Sequence, residues 1–182
     1  LTQKAQASKV TTKSILWKLP LTFLLLASCS LYFPEILGNG GALAQAVFDG
    51  MGVWYALACV VIKAVLVLLT MKNGAYGGTL TPSFSIGAVL GFLVAVLCQL
   101  VVPELSLTSA MLIGSSIFLA ITMNAPLTAV GLVVSFTGQS LTTLPILLLA
   151  VIVAFATKTI IEHIERKYYV NPYRSQTRRN RR

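Results

Sequence analysis

Two stretches without a single charged residue, 73–103 and 105–157, constrain this chain more than any other feature. A helix that crosses a bilayer needs about 20 mostly apolar residues, so these runs hold several spans or half-spans. Overall the chain is 56% hydrophobic and 10% charged, whereas an average soluble domain is about 25% charged. A soluble fold of this length has too little interior to hide that much apolar surface. The chain therefore reads as an all-α integral membrane protein.

The charges that remain collect at the ends. Lys4, Lys9, Lys13 and Lys18 precede or open the first apolar segment, and Arg166, Lys167, Arg174, Arg178, Arg179, Arg181 and Arg182 follow the last. Short Lys/Arg-rich flanks stay on the cytoplasmic side, which predicts both ends cytoplasmic in a cell inner or plasma membrane and an even number of crossings. The arginine cluster reads as a topology determinant and solvated tail. No aromatic residue lies among the arginines from Arg174 to Arg182 as in a single-strand nucleic-acid binder, and no nucleic-acid partner is expected. Cys29, Cys59 and Cys98 lie within apolar segments without metal-ligand spacing and read as packing residues. His163, the lone histidine, sits beside Glu162 near the end of the last helix and reads as interfacial. Without a nucleophile–base pair, metal cluster or acid–base constellation, an enzyme is not expected, nor a cofactor.

Along the chain, residues 1–14 form a polar linker, 15–165 a helical membrane region and 166–182 a basic tail. A first helix over 15–33 ends at Pro34 and Gly38-Asn39-Gly40-Gly41. A short helix over 42–49 precedes a long one over 53–71, which carries one charge, Lys63. The loop Asn73-Gly74-Ala75-Tyr76-Gly77-Gly78 leads to a helix over 81–101, followed by one over 107–122 containing Gly114-Ser115-Ser116, small residues that allow close helix contact. Asn124-Ala125-Pro126 is a second break before a short helix to about Phe136, and a last helix from Pro145 reaches His163. Non-helical backbone between apolar pieces is tolerated in a membrane only where protein or a watery cavity surrounds it. The pattern is that of a broken-helix transporter.

The most informative break runs from Gly77 to Pro82. Two glycines free the backbone, and a proline then fixes the first helical turn without losing a needed N–H. No acid occurs from Lys72 to Pro103 to neutralise the helix's positive end. Buried in a membrane protein, such a terminus suits an anion, and transport of a small anion is the leading reading.

The same residues resemble a known family. Gly77-Gly78-Thr79-Leu80-Thr81-Pro82, followed by Gly87-Ala88 and Gly91, resembles the signature of the CLC chloride channels and chloride/proton antiporters. Asn73-Gly74-Ala75-Tyr76, Asn124-Ala125-Pro126-Leu127-Thr128 and the break from Pro34 to Gly41 match in family order, so the resemblance covers about residues 15–165. It implies an all-helical fold of two inverted repeats, of which this chain looks like most of the second. It also implies chloride transport, and a homodimer with a pore in each subunit, its contact assigned to the helices at 127–136 and 141–163. Carried over by position, the anion-binding amides are those of Thr79 and Leu80, in a loop shaped by Gly77, Gly78 and Pro82. The family's anion-facing tyrosine falls among Tyr168, Tyr169 and Tyr173, with Tyr169 favoured. The serine-bearing and glutamate-bearing motifs of the family's first repeat do not occur, and the chain begins at Leu1, so it is expected to be a fragment of a longer protein. The residues 133–137 also lack the acids found there in many members. Two other readings compete: a cation-coupled broken-helix transporter, which wants a mid-membrane carboxylate, and a membrane fragment that conducts nothing.

Overall fold

The computed structural model describes residues 15–38, 40–75 and 79–169. Over these the chain forms seven α-helices and no strand: α1 (Ile15–Ser30), α2 (Gly41–Phe48), α3 (Val53–Lys72), α4 (Leu80–Gln99), α5 (Leu107–Met123), α6 (Pro126–Thr137) and α7 (Leu144–Tyr169). Short 3-10 turns, Pro34–Ile36 and Leu141–Thr143, follow α1 and precede α7. Three segments are long and apolar enough to cross a membrane, Val53–Lys72, Leu80–Gln99 and Leu141–Glu165.

The central helix is α4. Half of its span is buried, against 28% for Val53–Lys72 and 11% for Leu141–Glu165. Ile86, Val89 and Phe92 enter one apolar cluster with α2 and α3, through Leu43, Val47, Cys59 and Leu66. Phe84 and Ala88 enter a second with α5, α6 and α7, through Leu119, Val130, Val133 and Val151. The first half of α4 is buried on both of these sides, while Val94 and Leu97 further along are exposed.

Small residues explain how α4 and α5 meet. A Cβ added at Gly87 would lie 2.7 Å from the Gly114 carbonyl oxygen and from Ser115 Cα, and one at Gly114 would lie 2.7 Å from Gly91 Cα. Backbone therefore touches backbone, the small-residue mode of membrane helix packing. The Ser115 hydroxyl donates to the Phe84 carbonyl at 3.2 Å across the same seam. The pairing gives the Gly114-Ser115-Ser116 run its partner, Gly87 and Gly91.

The helix bounds differ slightly from those expected. The first helix stops at Ser30, and Pro34 opens a separate 3-10 turn. The central helix starts at Leu80, with Thr79 as its N-cap, and ends at Gln99. The last runs past His163 to Tyr169, because the Glu, Arg and Lys residues there are good helix formers.

Candidate anion-binding site

The approach to α4 is built by the end of α3. Asn73 caps α3, Gly74 takes φ +98°, and the Gly74 and Ala75 amides donate back to the Met71 and Thr70 carbonyls at 3.3 and 3.0 Å. This reverse-bonded ending satisfies the last carbonyls and requires glycine at the left-handed position. The Asn73 side-chain amide donates to Thr22 Oγ1 at 2.6 Å, and Thr22 in turn donates to the Lys18 carbonyl at 2.7 Å. The loop thus leaves α3 tied to α1.

Thr79 then opens α4 with φ −86° and ψ −7°, and its hydroxyl makes no capping bond. No acid occupies the first turn. The first closed bond of the turn runs from the Ser83 amide to the Thr79 carbonyl at 3.0 Å. Pro82 lies third in the helix, one place further in than the expected start at residue 81 put it. This still costs nothing, since the first four amides of a helix lack intrahelical acceptors. Its effect is to leave the Leu80 and Thr81 N–H groups intact at the positive end. Residues 79–82 are half-buried, and residues 83–89 behind them are fully buried. Partial charge of roughly half an elementary unit at such a terminus, with neither cap nor carboxylate, can hold an anion.

A second helix start abuts this one. Gly40, the N-cap of α2, has φ +97°, and a Cβ there would lie 2.9 Å from Ser85 Cβ and 3.2 Å from Lys63 Cε. Ser85, one turn into α4, donates its hydroxyl to the Pro82 carbonyl at 3.0 Å. The N-terminus of α2 is therefore wedged against the first turns of α4, where no other residue than glycine fits.

The remaining assigned positions are Gly77, Gly78 and the tail tyrosine. Gly77 and Gly78 lie outside the described residues. Tyr169 is the last residue of α7, at a helix end and not a helix start; Tyr173 lies outside the described residues. The Asn124-Ala125-Pro126 break is as the sequence predicts, with Pro126 first in α6 and Asn124 at φ +54°. Its Asn124 side chain is exposed and accepts from Lys158 Nζ at 3.2 Å. A recess of about 1050 Å³ opens between α4, α5 and α7 beside this break, walled by Leu90, Val94, Ile113 and Ile117. It does not reach residues 79–82, and its polar lining, Thr122, Asn124, Lys158 and Glu162, lies beside the break before α6.

One residue that the sequence reading passed over is Lys63. It lies mid-way along α3, is 2% exposed, and donates to the Ile36 carbonyl at 2.7 Å. The signal was visible: a lone charge inside a candidate span is costly and marks a site by default. Eight residues earlier on the same helix face, Tyr55 donates to Glu35 Oε2 at 2.7 Å.

A family profile described as voltage gated chloride channel matches residues 1–159. The chain is 29% identical over 121 residues to the H(+)/Cl(-) exchange transporter ClcA of Vibrio cholerae serotype O1 (strain M66-2), covering 65% of this chain and 26% of that protein. It is 31% identical over 142 residues to the voltage-gated ClC-type chloride channel ClcB of Escherichia coli O81 (strain ED1a), covering 76% of this chain and 34% of that protein. A further exchange transporter ClcA, from Vibrio parahaemolyticus serotype O3:K6 (strain RIMD 2210633), is 29% identical over 133 residues. Each of these matches spans about a quarter to a third of the relative's length. No solved structure gives a significant match.

Proposed function

The chain belongs to the voltage gated chloride channel family, and from that premise we propose that it forms part of a membrane protein that moves chloride or a similar small anion across the bilayer. The observation that carries the reading is the start of α4: uncapped, free of acid, and leading directly into a fully buried turn. A buried anion is costly to pair with a full positive side chain, because two charges must then be desolvated. Backbone N–H groups and a helix end supply fractional charge instead, enough to select the ion and still release it.

In this reading the Thr79 and Leu80 amides bind the ion, while Gly77, Gly78 and Pro82 set the path of the loop that presents them. The Tyr169 hydroxyl donates to the same ion from the end of α7. Chloride is cargo, and the protein needs no cofactor and carries out no chemical transformation. Two copies associate through the helices at 127–136 and 141–163, whose exposed apolar residues include Leu127, Phe136, Ile146 and Leu149. Both ends face the cytoplasm, held there by their lysines and arginines.

The test is chloride flux by the full-length protein in liposomes, with the reversal potential measured under a pH gradient. A wild-type protein carrying chloride supports the reading, and a shift of reversal potential with pH identifies exchange over a passive pore. Gly78→Val should abolish flux while insertion continues, and Thr79→Ala should leave flux unchanged, because the backbone of Thr79 acts and not its hydroxyl. Wild-type liposomes no more permeable to chloride than empty ones would overturn the proposal.

A further inference from the structure

The break between α1 and α2 is fastened to α3 at two points. Tyr55 holds the Glu35 carboxylate at 2.7 Å, and Lys63 holds the Ile36 main-chain carbonyl at 2.7 Å. Tyr55, Cys59 and Lys63 recur at every fourth position and so share one face of the helix, the face turned to residues 34–40. Ile36 ends the 3-10 turn, whose own bond runs from the Leu37 amide to the Pro34 carbonyl. The Ile36 carbonyl thus receives from the side chain what the turn does not supply.

Lys63 is an expensive choice for this task. An ammonium in the middle of a candidate span costs several kcal/mol even after relaxation. No carboxylate pairs with it among the described residues, and its single hydrogen-bond partner there is the Ile36 carbonyl. A threonine or asparagine could fasten a carbonyl for less. What the lysine adds is reach. Its Cε lies 3.2 Å from where a Cβ of Gly40 would stand, and the same point lies against Ser85. Lysine, glycine and serine are therefore stacked without slack, and Ser85 bonds directly to the Pro82 carbonyl in the turn whose first amides are free.

We propose that Lys63 is a positioning residue for anion binding: by fastening Ile36 it presses the Gly40 wedge onto Ser85 and so fixes the first turn of α4 in the orientation that presents the Thr79 and Leu80 amides. This inference rests on the transport reading above. Movement of the break by a fraction of an ångström is passed on, because Gly40 and Ser85 already touch and packed interiors do not absorb such shifts.

The experiment compares wild type, Lys63→Met, Lys63→Arg and Tyr55→Phe in the full-length protein, reading the chloride concentration for half-maximal flux separately from maximal flux. Lys63→Met is expected to raise the half-maximal concentration at least about fivefold, while Lys63→Arg, which still reaches the carbonyl, restores it to within about twofold. A loss of maximal flux at unchanged half-maximal concentration would mean a merely structural lysine and overturn the proposal, as would a wild-type profile. If Lys63→Met fails to assemble, Tyr55→Phe decides. That change removes one hydroxyl, and it should weaken chloride binding in the same direction by a smaller factor; unchanged binding there overturns the proposal. Wild-type protein without chloride flux would sink the transport reading and this inference together, whereas normal wild-type flux with an unaffected Lys63→Met sinks the inference alone.

Discussion

Three apolar helices, α4, α6 and α7, carry a proline in the first turn, and the starts of α4 and α6 are not equivalent. In α6 the proline is the first helical residue, Pro126, so the amide that would lead that helix is missing. In α4 it is the third, Pro82, so the Leu80 and Thr81 amides remain. Burial follows the same division. Residues 83–89 behind Pro82 are fully buried, whereas Leu127 behind Pro126 is 75% exposed. Both starts lack a side-chain cap and an acid in the first turn, so the place of the proline and the burial are what distinguish them. A shift of two positions in where proline falls thus leaves the first two amides in place at one helix start and removes the leading one at the other.

The comparison can be broken most severely through the seam that holds α4 in place. Gly87→Val would put a Cβ 2.7 Å from backbone atoms of Gly114 and Ser115. Overpacking of that kind costs roughly 3 kcal/mol, and a large drop in thermal stability of the purified protein in detergent is expected. On α6 the corresponding test runs the other way. Gly131 has nothing within 4 Å of an added Cβ, so Gly131→Ala should be neutral or raise stability by about 0.5–1 kcal/mol.

Next in size is the deletion of single amides. Replacing Leu80 by its α-hydroxy acid removes one N–H and keeps the side chain. A hydrogen bond to a charged group is worth about 1.5–3 kcal/mol, so chloride binding should weaken roughly 10- to 100-fold. The same replacement at Leu127, on the exposed start of α6, should leave it within about twofold. A smaller effect is expected at Asn124, whose φ of +54° is left-handed. Asn124→Ala should cost about 1 kcal/mol of thermal stability with chloride affinity unchanged, and Asn124→Gly should recover the loss.

Much of this architecture was legible in the residues. The uncharged runs located Leu80–Gln99 and most of the last span, and glycine and proline located the breaks, because each changes the backbone in a way that neighbours cannot override. The α3 ending at Gly74 and the α6 start at Pro126 follow from such local chemistry alone. Pairings across distance were less legible. That Gly114 needed a close partner could be read, but not that Gly87 and Gly91 would supply it, since that depends on how α4 and α5 cross. Lys63 was visible as a stray charge, yet its acceptor is a main-chain carbonyl, which carries no residue-specific mark. The start of α4 was missed by one residue because Thr79, a good capping type, takes the N-cap place without using its hydroxyl.

The central claim is that the start of α4 presents its amides to a small anion inside the protein. Its most direct test is crystallographic: bromide substituted for chloride in crystals of the full-length protein, located by anomalous scattering. The account places a bromide peak within hydrogen-bonding reach of the Thr79 and Leu80 N–H groups. A well-occupied bromide elsewhere in the membrane region, with none at that junction, would contradict it.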